Sequence, residues 1–343
     1  LRFIGLIVLI LFWTPGNSQT IGGRVAFNFL KLSSDPVLTG AGSINASYIT
    51  NEVGLTANNP SLLNPAVNAQ LLVSFSSFLK GVKSYSATGA YYDRKTNTTF
   101  GGHINFINYG SIIQTDASGM SYGQFRPIDF VIQVEAARAY LENWSYGVSL
   151  KIINSIYNQY KASGIAFDVG VLYRDSLHNF SASLLAKNMG FQVKNFGGEN
   201  EDLPFDIQVG ITKRLQNAPL GISLTGYHIN KFDLTYNDTV FNIENGNPEN
   251  HTTINNILNH FVVAGHIYLS KNLEAIVGYN HLRRMELNMG LSGNGLNGFS
   301  TGLKISFQNL QVLYARSVYQ RNVTLNQIGI NLGMNSFFST GKL

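Results

Sequence analysis

The stretch Trp144-Ser145-Tyr146-Gly147-Val148-Ser149-Leu150-Lys151-Ile152 decides the fold. One parity (Trp144, Tyr146, Val148, Leu150, Ile152) is apolar or aromatic; the other (Ser145, Gly147, Ser149, Lys151) is small or polar. Successive side chains of a strand point to opposite faces, so this pattern predicts a strand with two unlike faces. The split recurs in Phe205, Ile207, Val209, Ile211 against Asp206, Gln208, Gly210, Thr212, and in Leu220, Ile222, Leu224 against Gly221, Ser223, Thr225. It returns in Phe299, Leu303, Ile305, Phe307 against Ser300, Gly302, Lys304, Ser306. A soluble sandwich also alternates, with its apolar face turned into a core. Two features favour a membrane barrel instead. Aromatics such as Trp144, Tyr146, Phe180, Phe205 and Phe307 sit near strand ends, and the connections alternate in length.

Fourteen strands are expected, at approximately 70–79, 83–92, 98–108, 125–140, 144–157, 162–174, 179–188, 204–215, 219–232, 259–270, 273–280, 296–307, 311–319 and 322–334. Links 93–97, 141–143, 175–178, 216–218, 271–272 and 308–310 are short, whereas 109–124, 189–203, 233–258 and 281–295 are long. Links 80–82, 158–161 and 320–321 belong to the long set by phase yet are short. Short periplasmic turns, long outer loops and an even strand number are the outer-membrane signature, with both termini on the periplasmic side. The expected fold class is all-β: a transmembrane antiparallel β-barrel of about fourteen strands spanning 70–334.

Composition narrows the alternatives. Of 343 residues, 13% are charged, against about 25% in an average soluble protein, while Phe, Tyr and Gly number 22, 17 and 34. A disordered chain would be charge-rich and aromatic-poor. After residue 13 no apolar run approaches the roughly 18 residues of a spanning helix. With no Cys there is no disulfide framework and no thiolate chemistry. The net charge is +5, but the longest basic run is Arg283-Arg284, so nucleic acid is not an expected partner.

The ends are read separately. Arg2 followed by the apolar run Phe3–Trp13, then Pro15 and Gly16-Asn17-Ser18, predicts a signal peptide at 1–18 and a mature chain from Gln19. Residues 19–69 form a distinct segment with the Asn-Pro steps Asn59-Pro60 and Asn64-Pro65. Pro60, Asn64 and Pro65 mark turns of a plug inside or beneath the barrel; a plain periplasmic linker is the alternative. Residues 335–343 are a C-terminal tail.

No nucleophile-elbow, zinc-protease or phosphate-loop motif occurs, so no catalytic residue, cofactor or metal is assigned. His260 and His266 stand six apart on one strand, roughly 20 Å by strand rise, too far to share a metal. They are read as an interfacial and a lumenal residue. The seven N-x-[ST] matches carry no function. The inward parity of consecutive strands carries Glu135, Lys151, Asp168, Lys187 and Asp206, a ladder of alternating sign. Glu135 and Lys151 are expected at similar heights, cross-linking the wall at about 0.2–1 kcal/mol per pair. A mixed-sign lining does not make an ion-selective ring.

The chain resembles the PorQ family, outer-membrane barrels of the type IX secretion system in Bacteroidota, within a wider group similar to the FadL long-chain fatty-acid transporters. The resemblance rests on Asn58–Pro65, Ala162–Gly170, Leu203–Gly210 and the segment from Ala218-Pro219-Leu220 to Lys231-Phe232-Asp233-Leu234. It implies a FadL-like, fourteen-stranded, non-enzymatic barrel that holds a surface protein, PorZ-like, at the cell exterior. There, cargo is processed and attached to lipopolysaccharide. The competing function is a FadL-like channel for hydrophobic solutes, which needs an apolar lumenal pocket and a wall opening. The Gly-dense run Gly290–Gly302 is a candidate kink for such an opening, or equally an ordinary flexible loop running into a strand.

The longest connection, 233–258, carries Asp233, Asp238, Glu244 and Glu249 and has Asn245-Gly246-Asn247-Pro248 near its middle. With 109–124 and 189–203 it is expected to form a platform for the partner. Tyr236 and Phe241 are its aromatic anchors, with Asp238 and Glu244 beside them, because buried aromatics dominate interface energetics.

Overall fold

The computed structural model describes residues 25–78, 81–231, 234, 253–287, 295–320 and 323–334. The fourteen expected strands are present and close into one antiparallel barrel. Around the wall run β1 (Gln70–Phe78), β2 (Val82–Asp93), β3 (Thr98–Asn108), then β6 (Ile128–Tyr140), β7 (Trp144–Tyr157), β8 (Tyr160–Asp175) and β9 (Phe180–Lys194). The circuit continues through β10 (Asp206–Arg214), β11 (Leu220–Gly226), β12 (Phe261–Tyr268), β13 (Leu273–Asn280), β14 (Phe299–Phe307), β15 (Leu310–Gln320) and β16 (Val323–Gly333). β16 pairs with β1, from Gln70 opposite Gly333 to Ser77 opposite Asn326, so the barrel itself closes without an edge strand. Backbone donors in hydrocarbon have no water to turn to, and closure satisfies them.

Parity falls as the sequence predicts. On β7, Trp144, Tyr146, Val148 and Ile152 are exposed on the outer wall, while Gly147, Ser149, Lys151 and Ile153 are buried toward the lumen. An apolar outer belt on a closed antiparallel barrel of this kind places the protein in the outer membrane.

Several loop expectations are corrected. The link 109–124 contains a hairpin, β4 (Ile112–Thr115) paired with β5 (Ser121–Phe125). The link 189–203 is shortened because β9 runs on to Lys194, and the expected strand 219–232 stops at Gly226. Two short helices lie in the long connections, α2 (Thr253–Asn259) and α3 (His281–Leu287), following α1 (Pro36–Gly40) in the N-terminal segment. At the described end of the Gly-dense run, Gly302 is paired on both sides, with Ile276 and Ala315, in regular register; residues 290–294 lie outside the described residues. Residues 1–18, the run 335–343, and Tyr236, Asp238, Phe241 and Glu244 lie outside the described residues.

The wall is uneven. β6 to β9 have 13, 14, 16 and 15 residues, whereas β10 to β14 have 9, 7, 8, 8 and 9. α2 and α3 pack against one another at the long-loop end of this low side.

Candidate functional site

The site is the lumen, and residues 25–69 fill it. Asn-Pro chemistry shapes this filling. The Asn59 side chain accepts from Ser61 N at 3.0 Å and opens a 3-10 turn at Pro60–Leu62; Asn64 accepts from Ala66 N at 2.9 Å and opens another at Pro65–Val67. A proline at the first helical position lacks only a donor that would be unpaired anyway. α1 begins in the same way, with Asp35 accepting from Leu38 N at 2.7 Å before Pro36.

The filling is locked to the wall by hydrogen bonds and by close backbone approach. Asn59 Nδ2 donates to Ser183 Oγ at 2.9 Å, Ser145 Oγ to Ser61 O at 2.9 Å, and Thr39 Oγ1 to Gln327 Oε1 at 2.6 Å. A Cβ on Gly147 would lie 2.4 Å from the carbonyl carbon of Pro60, and one on Gly278 would lie 2.2 Å from Gly42 N. Wall glycines therefore let the Pro60 and Gly42 turns rest directly on the strands. Pro60 is buried, while Pro65 is exposed at the short-turn end. Within this segment the carboxyls of Asp35 and Glu52 are fully buried. Burial pushes both above the usual carboxylate range, and Glu52 adds to the shift of Asp35.

Three layers follow along the barrel axis. At the long-loop end Phe27 and Phe29 lie against Ile107, Val131, Ile153, Ala162, Ala166 and Leu203, forming an apolar chamber filled by the chain's own rings.

The middle layer is polar and holds the predicted ladder. Lys151 Nζ lies 2.6 Å from Asp168 Oδ2 and donates to Asn188 Oδ1 at 2.8 Å. A bulge opposes Asp168 to both Lys187 and Asn188, between the pairs Phe167–Met189 and Val169–Ala186. Asn188, at φ 56°, donates its N–H to Asp168 Oδ1 at 2.8 Å, and Lys187 reaches inward to Asn58 Oδ1 at 2.5 Å. Asp206 accepts from His228 N at 2.6 Å and from Gln208 Nε2 at 2.6 Å. Glu135 departs from expectation. It is opposite Ser149, not Lys151, and neither of its buried oxygens has a hydrogen-bond partner among the described residues. The hairpin sets this register: its last pair is Tyr140–Trp144, which leaves Glu135 two residues out of step with Lys151.

Sequence reading missed a second cluster. Glu274 and Lys304 are directly opposed on β13 and β14, with Nζ 2.6 Å from Oε2. Glu274 Oε1 also accepts from the Tyr48 hydroxyl and lies 3.3 Å from His266 Nδ1. The Tyr48 ring stacks on His266 at 3.8 Å, and His266 Nε2 meets Ser223 Oγ at 2.9 Å. His266 is thus lumenal, as its parity predicts, and is 0% exposed. Above this cluster Arg283 of α3 donates to Gly42 O at 3.0 Å and lies over the Tyr319 ring. The inward parity of Glu274 and Lys304 was a usable signal.

The lowest layer is a cavity of about 440 Å³ at the short-turn mouth, beneath Tyr48–Asn51. Its lining includes Arg174, Arg214, Lys271, Tyr268 and Glu274.

No protein-family model and no curated protein matches the chain in sequence. Its fold is similar to that of the Ralstonia pickettii toluene transporter TbuX, with TM-score 0.53 and 10% identity over 89% of this chain and 98% of the transporter. The CymD monoaromatic hydrocarbon channel gives TM-score 0.53 and 10% identity, over 90% of this chain and 97% of that one. A deltaS2S3 mutant of the TodX monoaromatic hydrocarbon channel gives 0.52 and 11%, over 86% and 96%. At these identities the likeness is one of fold, that of a closed antiparallel β-barrel.

Proposed function

We propose that the chain is a non-enzymatic outer-membrane passage for an apolar solute, with the N-terminal segment as its resident plug. The observation that carries this reading is the apolar chamber at the long-loop end. Ile107, Val131, Ile153, Ala162 and Ala166 present an apolar inner surface where most lumenal positions are polar, and Phe27 and Phe29 occupy it. A chamber that accepts two phenyl rings suits a small hydrocarbon by size and polarity. The shared fold with a toluene transporter and two hydrocarbon channels supports the same class of solute. Toluene uptake tests it, in cells carrying the full chain, its Phe27→Ala/Phe29→Ala variant or an empty vector. Uptake above the vector control, raised further in the variant, is expected. Equal uptake in all three strains rejects the reading.

A second reading is a type IX secretion barrel that anchors a PorZ-like surface protein and, through it, contacts lipopolysaccharide. The β4–β5 hairpin favours it, because Ile113, Met120 and Tyr122 are exposed beyond the wall at the long-loop end. The anchors Tyr236 and Phe241, with Asp238 and Glu244, belong to this reading. Affinity purification from native outer membrane separates the two: a large surface protein co-eluting in stoichiometric amount favours the anchor. Release of that protein on deleting 239–252, with the barrel intact, assigns the platform to this loop.

A further inference from the structure

We propose that the cavity at the short-turn mouth is a binding site for a small organic anion, a carboxylate or phosphate monoester with an apolar body. Three cations converge there from different parts of the wall: Arg174 from β8, Arg214 from β10 and Lys271 from the β12–β13 turn. Among the described residues none of the three has a carboxylate within salt-bridge distance. The acidic groups of the lining are already engaged, Asp175 with His178 Nδ1 at 2.6 Å and Glu274 with Lys304 at 2.6 Å. The middle layer, in contrast, gives its lysines partners: Lys151 has Asp168 and Lys187 has Asn58. Like charges gathered in one concave space repel, and an anion between them removes that cost.

Geometry gives the ligand its class. The Arg214 guanidinium lies 4.0 Å from the centre of the Tyr268 ring, which holds its planar fork in place. Such forks bind carboxylate and phosphate oxygens in pairs. The volume, about 440 Å³, falls within the range of small-molecule sites, roughly 300–1,000 Å³. Ile49, Phe180 and Leu273 in the lining provide apolar surface for the body of the molecule. The site is separate from the apolar chamber, which lies at the opposite end of the lumen, so it stands whether or not a hydrocarbon passes.

Calorimetric titration of the full chain in uncharged detergent tests this, with benzoate, phenyl phosphate, neutral benzyl alcohol and a hexaglutamate peptide as probes. Benzoate or phenyl phosphate should bind at least tenfold more tightly than benzyl alcohol. Arg174→Gln/Arg214→Gln should weaken that binding at least tenfold, and Lys161→Gln, on the outer face of β8, should leave it unchanged. The proposal fails if neither small anion binds, if benzyl alcohol binds equally, or if the double variant binds as the parent does. Binding of hexaglutamate alone also overturns it, because the mouth would then dock an acidic protein segment. A gel-mobility shift on boiling verifies that the double variant is folded. If it is not, the comparison of benzoate and phenyl phosphate with benzyl alcohol on the parent chain decides.

Discussion

The tall wall, β6 to β9, and the low wall, β12 to β14, both bury charge in the lumen, but they satisfy it differently. On the tall wall Lys151, Asp168 and Asn188 bond to one another within three neighbouring strands. On the low wall Glu274 is shared among Lys304, His266 and Tyr48, and Tyr48 belongs to the plug. One cluster is complete in the wall; the other is complete only with the plug in place. The plug bonds to both walls, through Asn58 to Lys187 and Asn59 to Ser183 on β9 and through Tyr48 to Glu274 on β13, but only the Glu274 cluster needs it to be complete.

Glu274→Ala should break this contrast most strongly. It strands Lys304 and removes the acceptor of two other buried groups, which typically costs about 3–5 kcal/mol. Urea unfolding of the refolded barrel in vesicles measures it, and a loss below 1 kcal/mol means that the cluster is not shared. Next in size is Leu150→Arg. It puts a charge on the lipid face beside Lys151 and should cost about 2–4 kcal/mol near the midplane. Ser149→Arg faces the lumen and should cost less by the same assay; the opposite order would place the tall-wall charges on the wrong side of the barrel. Tyr48→Phe sharpens the comparison. Loss of one hydroxyl from the low-wall cluster should cost about 1 kcal/mol, and an additive result when combined with Lys151→Ala shows that the two walls are independent. Smallest of all is Glu135→Gln. Because neither buried Glu135 oxygen is bonded to a described residue, the neutral isostere should lose no more than about 0.5 kcal/mol, and removing an unpaired carboxyl works toward higher stability. A larger loss would reveal a partner for Glu135.

The two walls also differ in how far sequence alone exposes them. Period-2 patterning sorts Lys151 from Ile152 without error, because a one-residue slip would put an entire apolar row into the lumen. Height along the strand has no such penalty. Glu135 and Lys151 were expected at one level, yet the hairpin closes at Tyr140–Trp144 and displaces them by two residues. The Glu274–Lys304 pair was harder to foresee because β13 and β14 are joined by a long connection, so no tight turn fixes their register. Tyr48 lies in a segment without period, where Asn59-Pro60 and Asn64-Pro65 reveal turns but not which strand they touch. The basic mouth is hidden in the sequence for a related reason: Arg174, Arg214 and Lys271 are 40 to 97 positions apart and meet only through closure.

The contact between wall glycines and the plug makes the plug part of the barrel's inner surface. The plug ends where the seam begins: Ala69 N–H donates to Ala90 O, and Met334 N–H donates to Ala69 O. With Pro60 seated on Gly147 and Gly42 on Gly278, the passage past these turns is narrower than a side chain. A methyl group at Gly147 or Gly278 would meet the plug backbone at 2.4 or 2.2 Å, so cylinder and plug fit as one piece only while both positions stay bare.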